Sequence, residues 1–150
     1  MSEQNGYSVT AAWESGRKGI VSAEGIDPSI RFSSPPEFKG EAGFWTPEHF
    51  LMAAVATCFV VTFYAIADLS RMEFLGLQVE VQGKLGKPDG KLRFTEIVLR
   101  PILAILRHED RERASRLLEK AEQGCLIARS LACPVVMEPL VRHAEEIMAR

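Results

Sequence analysis

One stretch decides the fold of this chain: residues 46–69 read TPEHFLMAAVATCFVVTFYAIADL. Thr46 can cap a helix, Pro47 suits the first turn, and Glu48 complements the positive end of the helix dipole. The eighteen residues at 50–67 carry no charge. This pattern predicts one long helix that is apolar on every face, which a soluble protein must cover on all sides.

A helix of this length and composition could also cross a membrane. Several alanines dilute its hydrophobicity, polar residues interrupt it, and no cluster of Lys or Arg flanks either end. We therefore expect a helix in a soluble core, covered by sheets and by a second copy of the chain. A protein with a single membrane span is the alternative.

The composition is that of an ordinary globular protein. The chain has 150 residues, with 47% hydrophobic and 25% charged side chains, which predicts a single domain over residues 1–150. A net charge of −2 gives no basic excess for nucleic acid. Three cysteines are too few for a disulfide-stapled scaffold, and the N-terminus resembles no export signal. A reduced, cytoplasmic location is expected.

Shorter elements flank the long helix. Alternating or apolar runs predict strands at residues 7–13, 18–23, 29–33, 77–85, 91–106 and 133–137. Further helices are predicted at residues 109–123, 125–131 and 140–149. Pro101, inside one strand, suggests a sheet edge or a bulge. The fold class is α+β, with antiparallel sheets around a long buried helix and residues 140–150 as a C-terminal helical extension.

Motifs for metal or phosphate binding are missing from the sequence. His49, His108 and His143 are far apart, and no cysteine pair has CxxC spacing. No glycine-rich loop resembles a phosphate cradle, and no GxSxG elbow occurs. We therefore expect neither a metal nor a cofactor. The cysteine thiols remain as the candidates for catalysis.

Two cysteines are candidates for that chemistry. A cysteine such as Cys58, in the middle of an apolar helix, is by default a small buried hydrophobe. Cys125 follows Gly124 at a helix boundary, where a helix N-terminus can stabilise a thiolate. The spacing of 67 residues leaves open whether the fold brings the two together. Cys133, before Pro134, is expected to be structural.

Arg17 and Glu48 are the charged candidates. From the residues alone, Arg17 is a solvated hairpin tip, and Glu48 is a first-turn residue that favours the helix dipole.

Four features together resemble the OsmC/Ohr family of osmotically inducible and organic hydroperoxide resistance proteins. They are Gly16-Arg17-Lys18-Gly19 in the first hairpin, Thr46-Pro47-Glu48, Ala53-Ala54 followed by Cys58, and Cys125 after a second helix. The resemblance extends over residues 7–137.

The resemblance implies an OsmC-like fold, an intertwined homodimer with shared active sites, and a thiol peroxidase that acts on organic hydroperoxides. Cys58 would be the peroxidatic thiol and Cys125 the resolving one. Arg17 and Glu48 would hold and activate the thiolate. A lipoyl-type or small dithiol would be the external reductant, with no metal, haem or flavin.

Helix geometry supports the shared site. Glu48 and Cys58 are ten residues apart, which is ~15 Å along a continuous helix. A carboxylate cannot easily reach an arginine beside the thiolate across that gap. We therefore predict that Glu48 serves Cys58 of a neighbouring subunit.

Other residues bear on the substrate and the subgroup. Phe44, Trp45, Phe59 and Phe63 are expected to form apolar walls that favour alkyl or fatty-acyl hydroperoxides. In the family the resolving cysteine is usually followed by Pro and a nearby Ser, whereas Cys125 is followed by LIARSL, which favours a divergent OsmC-like branch. A non-catalytic dimer that binds an apolar small molecule or a protein partner is the alternative function.

Overall fold

The computed structural model describes residues 5–148. The chain divides into two compact units, one up to Leu51 and one from Met52. Each unit contains its own sheet, and the mixture of helices and strands is the predicted α+β class. The single domain over residues 1–150 stays a prediction.

The N-terminal unit is built on a three-stranded antiparallel sheet of order β1-β2-β3. The strands are β1 (Thr10–Ser15), β2 (Lys18–Ala23) and β3 (Ile26–Ser33). Gly16 lies in the β1–β2 turn at φ +56°, a conformation that glycine adopts at little cost. The predicted hairpin is confirmed, and this turn carries Arg17.

Helix α1 runs from Pro47 to Leu69 as one continuous element. The His49 amide donates to the Thr46 hydroxyl at 3.1 Å, which confirms the predicted cap. Its fully buried residues recur every four positions: Val55, Phe59, Phe63 and Ala67. Val61 and Tyr64 are 64% and 60% exposed, so a single chain leaves one face of α1 uncovered. The reason is that the core of the C-terminal unit covers one face only.

By length and composition alone, α1 could cross a membrane, but the core helix of a soluble protein meets the same two criteria. The buried face of α1 belongs to the hydrophobic core, together with β5 side chains such as Leu99 and Leu103. This packing favours the core-helix interpretation.

The C-terminal unit contains a four-stranded mixed sheet. Strands β4 (Phe74–Gly86) and β5 (Arg93–Ile105) pair antiparallel, whereas β6 (Val135–Met137) and β7 (Leu140–His143) each pair with β5 in parallel. The predicted antiparallel pairing is confirmed for β1–β3 and for β4 with β5, whereas β6 and β7 depart from it by pairing in parallel. A parallel partner needs a crossover connection, which the helices after β5 provide.

Pro101 lies in the central strand β5 opposite Val79, neither at an edge nor at a bulge. On the other side of β5, residues 97–99 pair with β6 and residues 102–105 pair with β7. Pro101 falls between these two short partners, where its missing N–H interrupts neither ladder. The predicted edge or bulge was wrong for this reason.

Two helices follow β5: α2 (Arg111–Gly124) and α3 (Leu126–Arg129). Helix α2 buries the predicted face, which consists of Ala114, Leu117, Leu118 and Ala121. The helix predicted over residues 140–149 begins instead as strand β7, and only α4 (Ala144–Met148) is helical. Pairing with the open side of β5 overrides the local helix preference. Residues 149 and 150 lie outside the described range.

Candidate active site

The fold brings Cys58 and Cys125 together. Cys58 lies near the middle of α1, and Cys125 lies at the junction of α2 and α3. The Cys125 thiol lies close enough to Cys58 to shift its pKa, and both thiols are free. Cys125 is 1% exposed, while Cys58 is half-buried. Two thiols so placed can form a disulfide once one of them is oxidised.

The surroundings of Cys58 favour its thiolate. Burial acts to raise the pKa of Cys58, but hydrogen bonds outweigh it and leave the pKa below its ordinary value. The donors, from larger to smaller effect, are the Ile127 amide, the Cys125 thiol, the Thr62 hydroxyl and the Leu126 amide. Donors that face a sulfur stabilise the charged form, so Cys58 is the better nucleophile of the pair.

Cys125 has the opposite tendency. Burial raises its pKa, and the neighbouring Cys58 adds to the rise, against amides of Ala128 and Ile127 that lower it. Cys125 therefore stays a neutral thiol at a pH where Cys58 has begun to ionise. This difference separates a nucleophilic sulfur from one that reacts later.

Cys133 and the predicted aromatic walls lie elsewhere. Cys133 is half-buried and packs against the hydrophobic core, as expected of a structural residue. Phe59 and Phe63 have no exposed surface and belong to the same core, so their prediction as substrate walls was wrong. In the N-terminal unit Trp45 is half exposed and borders a cavity of about 230 Å³ that Phe44 also lines.

Arg17 is exposed at the β1–β2 turn. Its backbone carbonyl accepts from the Ser34 amide at 3.1 Å, and Trp13 closes the turn by donating its indole N–H to Gly16 at 2.8 Å. The guanidinium has no hydrogen bond or ion pair with a described residue of its unit. The turn borders an open cavity of about 520 Å³, lined by Ala11, Trp13, Gly16, Arg17, Lys18, Phe32 and Ser34.

The second cation of this turn is already paired. Lys18 Nζ lies 2.7 Å from a carboxylate oxygen of Glu41 and 5.8 Å from the ring centroid of Phe44. Arg17 therefore contributes the charge of this turn that no carboxylate among residues 5–51 neutralises.

Glu48 is the acidic counterpart of Arg17 in the candidate site. Its Oε1 atom is buried and has no hydrogen-bond partner among the residues that the structure describes. Burial of a polar oxygen without a partner is costly, and such atoms in folded proteins nearly always have one. Glu48 and Arg17 belong to the N-terminal unit and the two cysteines to the C-terminal unit.

A cluster near the C-terminus, which the sequence did not indicate, consists of residue types that can bind a metal. Ligand atoms of His108, His143 and Glu145 lie within 4.8 Å of one another because β7 runs beside the end of β5. The two imidazoles stack at 3.6 Å with an interplanar angle of 15°, so their in-plane lone pairs do not converge. His143 also bonds the Leu106 carbonyl and the Glu145 amide through its two nitrogens. This arrangement fits a structural stack better than a metal centre.

Sequence reasoning also assigned no role to Thr62 or to the α3 amides that face Cys58. The i to i+4 spacing of Cys58 and Thr62 could have indicated contact on one helix face. The approach of the α3 amides depends on tertiary packing.

Residues 40–139 match the family model described as OsmC-like protein. The chain belongs to the OsmC-like protein family. A relative in sequence is the uncharacterized protein YmaD of Bacillus subtilis, 29% identical over 129 residues, which cover 83% of this chain and 85% of YmaD.

Solved structures share the fold. An OsmC-like protein of unknown function from Vibrio cholerae aligns with a TM-score of 0.81 at 22% identity, covering 91% of this chain and all (100%) of that one. The organic hydroperoxide resistance protein OhrB of Bacillus subtilis aligns with a TM-score of 0.67 at 21% identity, covering 92% and 98%. The predicted OsmC-like fold is confirmed.

Proposed function

We propose that this OsmC-like protein is a thiol-dependent peroxidase that reduces organic hydroperoxides in oxidative-stress defence. The observation that carries the proposal is the contact of Cys58, whose pKa is lowered, with Cys125, whose pKa is raised. A nucleophilic thiol beside a neutral one is what a two-cysteine peroxidase needs. Fold neighbours that include organic hydroperoxide resistance proteins support the same chemistry.

The reaction has three steps. The Cys58 thiolate attacks the distal oxygen of ROOH, the O–O bond breaks, and the leaving alkoxide takes a proton to give ROH and a sulfenic acid on Cys58. The Cys125 sulfur then attacks the sulfenic sulfur, which forms the Cys58–Cys125 disulfide and releases water. An external dithiol of the lipoyl type, or another small dithiol, reduces the disulfide by exchange and is itself oxidised to a disulfide. No resident cofactor takes part in these steps.

Arg17 and Glu48 complete the site in this proposal. The guanidinium fork of Arg17 stabilises the thiolate and the developing charge on the peroxide, and Glu48 orients the fork. The Arg17 guanidinium and Glu48 Oε1 have no partner among the described residues of the N-terminal unit. Glu48 acts on Cys58 of a neighbouring subunit, since ten residues of continuous helix separate the two positions by ~15 Å.

A homodimer supplies that subunit. The face of α1 that bears Val60, Val61 and Tyr64 is apolar and exposed in the single chain. A second copy would cover this face and bring its own Arg17 and Glu48. The protein acts in the cytoplasm, where its thiols are kept reduced.

Peptide mapping by mass spectrometry tests the peroxidase. The reduced protein receives one equivalent of an alkyl hydroperoxide, and Cys58→Ser and Cys133→Ser are treated in parallel. We expect a rapid intramolecular Cys58–Cys125 disulfide in the parent and in Cys133→Ser, and none in Cys58→Ser. If both thiols stay free, or oxidise slowly and at random, the proposal fails. A non-catalytic dimer that binds an apolar ligand or a protein partner would then be the better interpretation.

A further inference from the structure

Two threonines on α1 use their hydroxyl groups differently. The Thr57 hydroxyl donates back to the helix, to the Ala53 carbonyl at 2.8 Å and the Ala54 carbonyl at 3.3 Å. This is the usual bond of a threonine inside a helix. The Thr62 hydroxyl lies instead 3.8 Å from the Cys58 sulfur, one turn earlier on the same face.

Packing at the end of α2 explains the orientation of Thr62. The Thr62 methyl group lies 3.6 Å from the position that a Cβ on Gly124 would occupy. A β-branched side chain has few χ1 choices in a helix. With its methyl towards Gly124, Thr62 has its hydroxyl towards Cys58. Gly124 directly precedes Cys125, so Thr62 lies close to both cysteine-bearing segments.

The direction of the hydrogen bond follows from the ionisation of Cys58. Between a thiol and a hydroxyl either group can donate, but a thiolate has no proton and can only accept. The Thr62 hydroxyl must therefore donate to the charged form, which it stabilises against the cost of burial. Among the described residues of this unit, the titratable group that faces Cys58 is the Cys125 thiol.

We infer that Thr62 is a positioning residue, whose hydroxyl holds the Cys58 thiolate in place and favours it over the thiol. The functional use of a reactive thiolate at Cys58 rests on the proposed peroxidase function. The hydrogen bond itself is testable without any peroxide, so the two ideas can fail separately.

Thr62→Val removes the hydroxyl and keeps the shape of the side chain. Loss of a hydrogen bond to a charged group should raise the pKa of Cys58 by about one pH unit. Well below that pKa the thiolate population falls about tenfold, but the remaining thiolate is more nucleophilic. We therefore expect an alkylation rate reduced about threefold at low pH.

The experiment measures the rate of Cys58 alkylation by iodoacetamide from pH 5 to 9, read by peptide mass spectrometry on the full chain. Thr62→Ser keeps the hydroxyl and should behave like the parent. Thr57→Val is the matched control, because it removes a hydroxyl from the same helix that bonds only to backbone carbonyls. Thr62→Ala is a second variant should Thr62→Val unfold, as judged by circular dichroism.

Three outcomes would overturn the inference. An unchanged profile in the folded Thr62→Val or Thr62→Ala protein would show that the hydroxyl does not act on the sulfur. An equal shift in Thr62→Ser would assign the effect to packing, and an equal shift in Thr57→Val would assign it to the helix as a whole. A shift confined to the variants without the Thr62 hydroxyl, in a protein that forms no disulfide with peroxide, would support the inference while the peroxidase fails.

Discussion

The candidate site contains a thiol pair, Cys58 and Cys125, and a charged pair, Arg17 and Glu48. The two pairs differ in how many interaction partners their own units supply. Around Cys58, the C-terminal unit supplies a thiol, a hydroxyl and two backbone amides that each lower the pKa of this sulfur. Around Arg17 and Glu48, the described part of the N-terminal unit supplies no partner for the guanidinium and no hydrogen bond for the buried Glu48 Oε1. The first pair is preorganised by intrachain contacts, and the second is not.

This contrast suggests a division of labour. One chain suffices to lower the pKa of Cys58 and to place the Cys125 thiol beside it. The charged groups, which act on the peroxide in our proposal, would become effective when a second copy of the chain completes their surroundings. The predictions that follow test the two halves of the site separately, beginning with the largest effect.

Removal of either sulfur should separate the chemical steps. Cys58→Ser should abolish hydroperoxide reduction, because a hydroxyl is not ionised at neutral pH and cannot replace the thiolate. Cys125→Ser should consume one equivalent of hydroperoxide and then stop at a sulfenic acid on Cys58, detectable by mass as a dimedone adduct. Equal turnover by Cys125→Ser and the parent would remove Cys125 from the catalytic cycle.

Subunit mixing should reveal whether the charged half acts between chains. Glu48→Gln and Cys58→Ser homodimers should each be impaired. After equal amounts exchange subunits, each heterodimer contains one intact Glu48–Cys58 combination if the site is shared. Random exchange should restore about a quarter of the parent activity, since half the dimers are mixed and one of two sites is intact. No recovery after verified exchange would contradict the shared site.

A charge on the exposed face of α1 should separate the two subunits of the proposed dimer. The thiol pair of one chain would then lose the charged pair of the other. Val61→Asp would bury a carboxylate in the proposed dimer interface, so we expect monomers by light scattering. The monomer should lose hydroperoxide turnover and still form the Cys58–Cys125 disulfide with diamide. Leu92→Asp, in the exposed β4–β5 connection, is the control and should remain dimeric. A dimeric Val61→Asp protein would place the interface elsewhere.

The smallest of the four expected effects is a difference between Cys58 and Cys125 in the pH at which each thiol is labelled. Because the pKa of Cys58 is lowered and that of Cys125 is raised, the thiolate of Cys58 should form first as the pH rises. Short pulses of iodoacetamide at increasing pH should therefore label Cys58 before Cys125. Labelling of Cys125 at the lower pH would reverse the assignment of nucleophile and resolving thiol.

Local sequence was sufficient for several features of the site. The cap at Thr46, the proline after it and an uncharged run predicted α1 with its observed bounds, and so placed Cys58 in mid-helix. The Gly16 turn predicted the hairpin that carries Arg17. These features depend on neighbours within a few residues, which a single sequence displays directly.

Long-range pairing was where the sequence misled. Residues 140–143 look helical but form β7, because the open side of β5 offers hydrogen bonds that the local pattern does not reveal. Pro101 was assigned to an edge or bulge because the sequence does not show that β6 ends and β7 begins beside it. Phe59 was assigned to a substrate wall because an apolar helix does not show which of its faces is packed.

The sequence by itself determined the α+β class, the long helix, the position of Cys58 and the resemblance to the OsmC/Ohr family. Only the tertiary structure decided that Cys125 meets Cys58 and that Thr62 and the α3 amides face the same sulfur. The physical reason is distance along the chain. Helix formation and capping are settled within a few residues, whereas the pKa of a thiol depends on every donor and apolar group that folding brings around it.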